Sequence, residues 1–252
     1  MAQFTDFQNI LPDPNNSIGY AGQFGADTTP SQDAKPGAGF ASVDLSSEEK
    51  IMKTRTNSGR YISRAASNHM WKINIKYNPL TRLEFMPVYS FLMEKRGGLK
   101  SFYVSLPQYT VPQHITFDGS GYENLLSPKD SVGTVLSGET SMLVDYSTYN
   151  YSSHGTPLPG DIFTIDDAAS SNHKKAYMVT RVQTAANYQS YQPASNELII
   201  HFTPGLSKDV ATTATLTFAN PLFKVVLAND VQQYSLGTNN LYQYSLSLEE
   251  VQ

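Results

Sequence analysis

The chain has no cysteine, which excludes disulfides, thiolate nucleophiles and sulfur-ligated metals together. Folding rests on packing. Charge is scarce as well: Lys, Arg, Asp and Glu make up 16% of the 252 residues, against roughly 25% in ordinary soluble domains. The net charge of -4 and pI near 5.7 give no overall basic field, which argues against a groove that tracks phosphates by counterion release. No run of about 18 apolar residues occurs, and the opening MAQFTDFQNILPDPNN lacks the basic-then-apolar order of a signal peptide. Neither a membrane anchor nor a secretory route is expected, and synthesis in a cytoplasm is. The acceptor-like triplets at Asn15-Asn16-Ser17 and Asn150-Tyr151-Ser152 are then chance matches.

Recognisable chemistry is also missing. The sequence holds no Gly-x-Ser-x-Gly elbow, phosphate loop or dinucleotide fingerprint. Its histidines, His69, His114, His154, His173 and His201, lie far apart, and none forms the i, i+4 pair by which a helix presents two ligands to one metal. In GDIFTIDD, Asp161, Asp166 and Asp167 form the tightest acidic group, but without the loop spacing or closing glutamate of a calcium hand. Glu84, Asp118, Glu123 and Asp145 sit among aromatics, as paired carboxylates of a glycosidase would, yet the sequence holds no information on the separation that this chemistry requires. The expectation is a protein without catalytic residues, metal or cofactor.

What is present is a pattern of extended segments. Residues 11–50 are rich in Gly, Pro, Asp, Asn and Ser, with no sustained period, and read as an arm or long loop bearing Tyr20, Phe24 and Phe40. From residue 61 the chain alternates. Trp71, Ile73, Ile75 and Tyr77 interleave with Lys72, Asn74 and Lys76, which predicts a half-buried strand. Asn78 and Pro79 then suit a helix cap and first turn. Leu80, Leu83, Val88, Phe91 and Leu92 are expected on the helix's buried face, with a bend at Pro87. Lys95 and Arg96 complement the helix C-terminus, Gly97 suits the left-handed position after it, and Gly98 helps the return into SFYV, with Phe102 and Val104 facing inward.

Beyond residue 112 come short strands, SMLVDYSTY, GDIFTI, AYMVTRV, NELIIHF, ATLTF, LFKVVLA and LYQYSLSL, separated by turn signals. This spacing predicts a sandwich or barrel rather than βαβ repeats. The final strand, with Tyr242, Tyr244, Leu246 and Leu248 at period 2, is expected to close a sheet.

Ser58-Gly59-Arg60, the strand centred on Trp71, the helix ending in FLMEKRGG, the strand SFYV with Tyr109, and the closing LYQYSLSLEEV together resemble the N-terminal domain of phage tail proteins of the distal-tail type, a family that includes the corresponding protein of gene transfer agents. The resemblance covers about residues 55–110 and 215–252. It implies a mainly β (α+β) fold: a tail-tube-like β-sandwich or split barrel flanked by one α-helix, with a second β-rich domain inserted. The expected division is an N-terminal arm at 1–54, a ring domain at 55–111 with 215–252, and an insertion at 112–214. By position, the ring domain's structural core comprises Trp71, Ile73, Ile75, Tyr77, Leu80, Leu83, Val88, Phe91, Leu92, Gly97, Gly98, Phe102 and Val104.

The function that the resemblance implies is structural: a homo-hexameric ring at the tail tip or baseplate of the virion, joining tail tube protein to hub and other baseplate proteins, with DNA passing through the lumen without sequence-specific binding. The alternative is a carbohydrate-binding β-sandwich in which Tyr146, Tyr149, Tyr151, Tyr188 and Tyr191 meet a host glycan, since tyrosine offers a large amphipathic face at low entropic cost.

Overall fold

The computed structural model describes residues 9–11, 39–118, 126–129, 134–146, 151–167, 173–184 and 196–251, the side chains of 65–68, 118 and 151 excepted. The fold is mainly β, its sheets antiparallel. Two compact units divide the chain, one of Met1–Val104 with Lys224–Val251 and the other of Ser105–Phe223. No helix among the described residues is long and apolar enough to cross a membrane.

The first unit is built on strands β1 (Phe40–Arg55), β2 (Tyr61–Tyr77), β3 (Phe102–Ser105), β12 (Leu222–Leu227), β13 (Tyr234–Leu236) and β14 (Tyr242–Glu250). They run in the order β1-β2-β14-β12-β3, with β13 also paired to β14. The last strand of the sequence is thus an interior strand of the sheet, which satisfies the backbone of its period-2 pattern on both sides. Residues 40–50, read from composition as loop, form the first half of β1. Their Ser and Asp residues sit on a strand because β2 supplies its ladder from Phe40↔Tyr77 to Arg55↔Tyr61. At the opposite edge, residues 9–11 lie against β3, where Leu11 N–H donates to Tyr103 O and Tyr103 N–H to Asn9 O, each at 2.7 Å.

Helix α1 (Arg82–Glu94) covers one face of this sheet. It starts later than Asn78 because residues 78–80 remain tied to strands: Asn78 N–H donates to Gly39 O, and Leu80 exchanges backbone hydrogen bonds with Tyr242 in both directions. Thr81 is the N-cap instead. The Glu84 carboxylate reaches back to accept the Thr81 N–H at 2.7 Å and its hydroxyl at 2.8 Å, satisfying a donor at the helix start. This late start also sets the phase. Phe85, Val88, Phe91 and Leu92 are buried, whereas Leu83, expected in the core, is 85% exposed. Leu83 and Phe85 stand about 200° apart around a helix of 3.6 residues per turn.

The helix end differs too. The C-cap is Lys95, so the left-handed residue after it is Arg96 (φ 54°), with Gly97 (φ 65°) following as the second left-handed residue. Lys95 is buried, its Nζ 4.3 Å from the centroid of the Phe91 ring and 3.7 Å from Glu94. A Cβ on Gly97 would stand 2.9 Å from Asp230 Oδ1 and 3.3 Å from Asp230 Cα, whereas one on Gly59, in the β1–β2 turn at φ 80°, would meet nothing within 4 Å. Gly59→Ala is expected to cost about 1 kcal/mol, the left-handed penalty alone. Gly97→Ala adds a clash with the Asp230 carboxylate and a tight contact with its Cα, and should cost roughly 2–3 kcal/mol. Denaturant titration of the two variants checks the difference, and equal losses would contradict the geometry.

The second unit is a small, nearly closed barrel. Strands β4 (Ser127–Pro128), β6 (Ser141–Asp145), β7 (Ile162–Asp166), β8 (Ala176–Gln183), β9 (Glu197–Thr203) and β11 (Thr215–Thr217) run in the order β11-β7-β8-β9-β6-β4. The ends of that path meet at the single Leu126–Leu216 bridge, where Leu216 N–H donates to Leu126 O at 2.8 Å, which brings the sheet close to closure. Inward-facing Val144, Phe163, Ile165, Tyr177, Val179, Leu198, Ile200, Phe202 and Leu216 fill it, with Phe117 and Phe218 in the same cluster. β5 (Thr134–Val135) and β10 (Val210–Ala211) pair separately.

Candidate assembly surface

The sheet of the first unit has two chemically distinct faces. On the helix side lie Trp71, Ile73, Ile75, Tyr77, Tyr244, Leu246, Leu248, Phe223, Val225 and Leu227, all buried. Phe85 of α1 lies among rings there, 4.6 Å from Tyr242 in a stack and within 5.6 Å of Tyr89, Tyr234 and Tyr244. Phe91 meets Phe102 edge-on at 5.4 Å. Trp71 meets His69 edge-on at 4.7 Å, and its N–H donates to buried Glu250 at 3.3 Å. Leu80, Val88, Leu92 and Val104 are fully buried.

The opposite face is mainly polar along β1, β2 and β14, with Met70 opposite Glu48 and Val226 opposite Glu249 as apolar members. Register places Ser42, Asp44 and Ser46 of β1 beside Lys76, Asn74 and Lys72 of β2, and these beside Ser245, Ser247 and Glu249 of β14. Lys72 pairs with Glu48 at 2.6 Å and Glu249 at 3.5 Å. The hydrogen bond and charge of Lys72 hold the Glu48 carboxyl below its usual range, and those of Glu48 raise Lys72. With Lys224 on the alternate positions of β12, the face carries three cations, Lys72, Lys76 and Lys224, and three anions, Asp44, Glu48 and Glu249. These charges sum to zero, and none of the six residues is buried.

Composition singled out polar strand residues but not this balance, which exists only once β1, β2 and β14 are in register. Phe85 was missed. Its signal was available in the 85, 88, 91, 92 spacing, obscured by taking the phase from Leu83.

Residues weighed for catalysis or metal binding serve local structure. Asp161 accepts the N–H of Gln113 at 3.0 Å and of Leu158 at 2.8 Å. Asp167 accepts that of Ala211 at 3.2 Å, and Asp166 is exposed. Glu84 caps α1. Asp145 accepts Asn196 Nδ2–H at 2.8 Å and lies 3.3 Å from Lys129, which also pairs with Glu197. His114 Nδ1 accepts the N–H groups of Thr116 and Phe117 at the start of the short helix α2 (Ile115–Asp118). His69 Nε2 is 2.9 Å from Ser47 Oγ, and His201 Nε2 is 2.8 Å from Gln183 Oε1. Among the described residues no three His, Asp or Glu side chains are grouped to hold a metal. Glu123 and the side chain of Asp118 lie outside them.

Of the tyrosines considered for a glycan surface, Tyr146 is instead core. It is buried in the barrel, its hydroxyl donates to Gly155 O at 2.6 Å, and burial raises its pKa. An inward position in β6's alternation carries it there. Tyr149, Tyr188, Tyr191 and the side chain of Tyr151 lie outside the described residues.

Comparison with known proteins bears on the same region. Residues 28–109 match the family model for the N-terminal part of the A domain of distal tail protein pb9. The chain is 28% identical over 217 residues to the distal tail protein pb9 of Escherichia phage T5, a match spanning 85% of this chain and 93% of that protein. Both agree with the resemblance read from the strand, helix, strand unit.

Proposed function

We propose that this chain, a structural protein of a phage tail of the distal-tail type, forms a closed ring in which the polar sheet face of the first unit lines the lumen. The observation that carries this reading is the two-faced sheet: one side is packed by α1 and its aromatics, and the other is mainly polar along β1, β2 and β14, with charges that balance. A face with surplus cations would hold passing DNA through released counterions. A face where Lys72 is neutralised by Glu48 and Glu249 lets it slide. Six copies around an axis is the arrangement that the family resemblance implies, and heterologous contacts of this kind close when the rotation per subunit does.

In this reading the ring connects the tail tube to hub or other baseplate proteins at the tail tip, and the barrel of the second unit carries contacts particular to this tail. Function then resides in surfaces rather than in a catalytic cleft. Native mass measurement and symmetry determination on the purified protein and on particles are expected to give a six-copy ring. A strict monomer that is absent from the particle would sink the proposal. A second arm adds positive charge to the open face: Ser245→Lys with Ser247→Lys should leave assembly intact but slow DNA ejection, and unchanged ejection would remove the lumen assignment while leaving the ring.

A further inference from the structure

We infer that the distal part of the β1–β2 hairpin, residues 50–64, is a docking arm clasped on both its faces by a second copy of the chain. This rests on the ring reading and specifies the contact between neighbours. A register shift between Glu49 and Ile51 separates the arm from the rest of the sheet. Beyond it nearly every residue with a described side chain is exposed, and a two-stranded ribbon without packing is marginally stable in water.

Its side chains suit a covered position. Antiparallel partners share a face, so Ile51, Lys53, Arg55, Tyr61 and Ser63 lie on one side, and Met52, Thr54, Ile62 and Arg64 on the other. Large apolar groups are exposed on both: Ile51 and Tyr61 on the first, Met52 at 71% and Ile62 on the second. A ribbon laid on a flat surface would bury only one of these sets. Two apolar faces require a groove.

Charge identifies the occupant. Residues 50–64 hold Lys50, Lys53, Arg55, Arg60 and Arg64 and no carboxylate. With those five cations set aside, the whole chain's -4 becomes -9 for the remainder. A basic arm and an acidic body on the same chain attract head to tail and repel body to body, which favours the heterologous contact that propagates around a ring. Nucleic acid is the competing polyanion. Isoleucine and methionine on both faces add nothing to a phosphate contact, whereas Arg, Tyr and Met are enriched at protein interfaces.

The cysteine-free sequence makes the test direct. Thr54→Cys provides a single attachment point for a photo-crosslinker, and irradiation of assembled rings or particles is expected to give an adduct of two 27.8 kDa chains. In sedimentation, Ile51→Glu with Tyr61→Glu, Met52→Glu with Ile62→Glu, and Lys53→Glu with Arg55→Glu should each weaken self-association about tenfold or more, with the melting temperature of the dissociated chain unchanged because the sites are exposed there. Added salt should weaken the wild type in the same direction. Adducts to DNA or to another tail protein overturn the assignment, as does loss confined to one face's variant. Rings that persist in all three variants refute the arm and leave the ring standing. A wild-type chain that neither self-associates nor cross-links to itself in particles removes both.

Discussion

Replacing Phe85 with alanine is expected to destabilise the first unit by about 3–5 kcal/mol, the usual range for truncating a buried phenylalanine, whereas Leu83→Ala should change it by less than about 0.5 kcal/mol. Phe85 is fully buried and touches four tyrosines, one on its own helix and the others on β13 and β14. Its removal takes away both the transfer energy of the ring and the contacts that hold α1 to the sheet, because rigid aromatic neighbours collapse poorly into the space left. Leu83 faces solvent at the start of the same helix and contributes little beyond its helix propensity. The pair isolates helix phase from helix formation, since both substitutions introduce the best helix former. Denaturant unfolding with circular dichroism reads the two values. Comparable losses at both sites would mean that α1 is rotated from the position described.

The second large effect is a dependence of the barrel's stability on pH that is centred on His173. The ring is 1% exposed, its Nε2 lies 2.8 Å from the Tyr177 hydroxyl, and that hydroxyl also accepts the Ser207 N–H at 3.1 Å. Burial lowers its pKa from 6.5 to about 4; nearby Asp167 opposes the shift, and Lys208 and Lys174 add to it. The folded state therefore favours the neutral ring. Its contribution is complete above pH 6.5 and is lost as pH falls from 6.5, where the unfolded chain begins to bind the proton, to about 4, where the folded chain binds it too. A gap of that size corresponds to about 3 kcal/mol, levelling off below pH 4. His173→Gln removes the titration, so its stability should flatten across this window relative to the wild type. Parallel pH profiles for the two proteins would show that other groups govern the acid response.

Much of the architecture is legible along the chain because strand alternation is a local property. Trp71 to Tyr77, Phe163 to Ile165, Leu198 to Phe202 and Tyr242 to Leu248 carry their period within a few residues, and each is a strand with the alternate residues inward. The errors fall where a distant partner overrides a local signal. Asn78 and Pro79 have the chemistry of a helix start, but Leu80 hydrogen-bonds to Tyr242, so the helix begins one turn later and its buried stripe moves from Leu83 to Phe85. The Ser- and Asp-bearing residues 40–50 have weak strand propensity, and become strand because β2 is already an ordered template.

For the assembly surface the division is similar. The sequence alone determined that this is a β-rich chain without thiol chemistry, with a strand, helix, strand unit of distal-tail character and a regular final strand, because each of these depends on residue type and short-range spacing. Only the tertiary structure decided that Lys72 meets Glu48 and Glu249, that Tyr146 points into a barrel whose ends meet at Leu126 and Leu216, and that the cations at 50–64 stand out on an uncovered ribbon. Pairing, closure and exposure are set by which strands become neighbours, and those contacts join residues far apart in the chain.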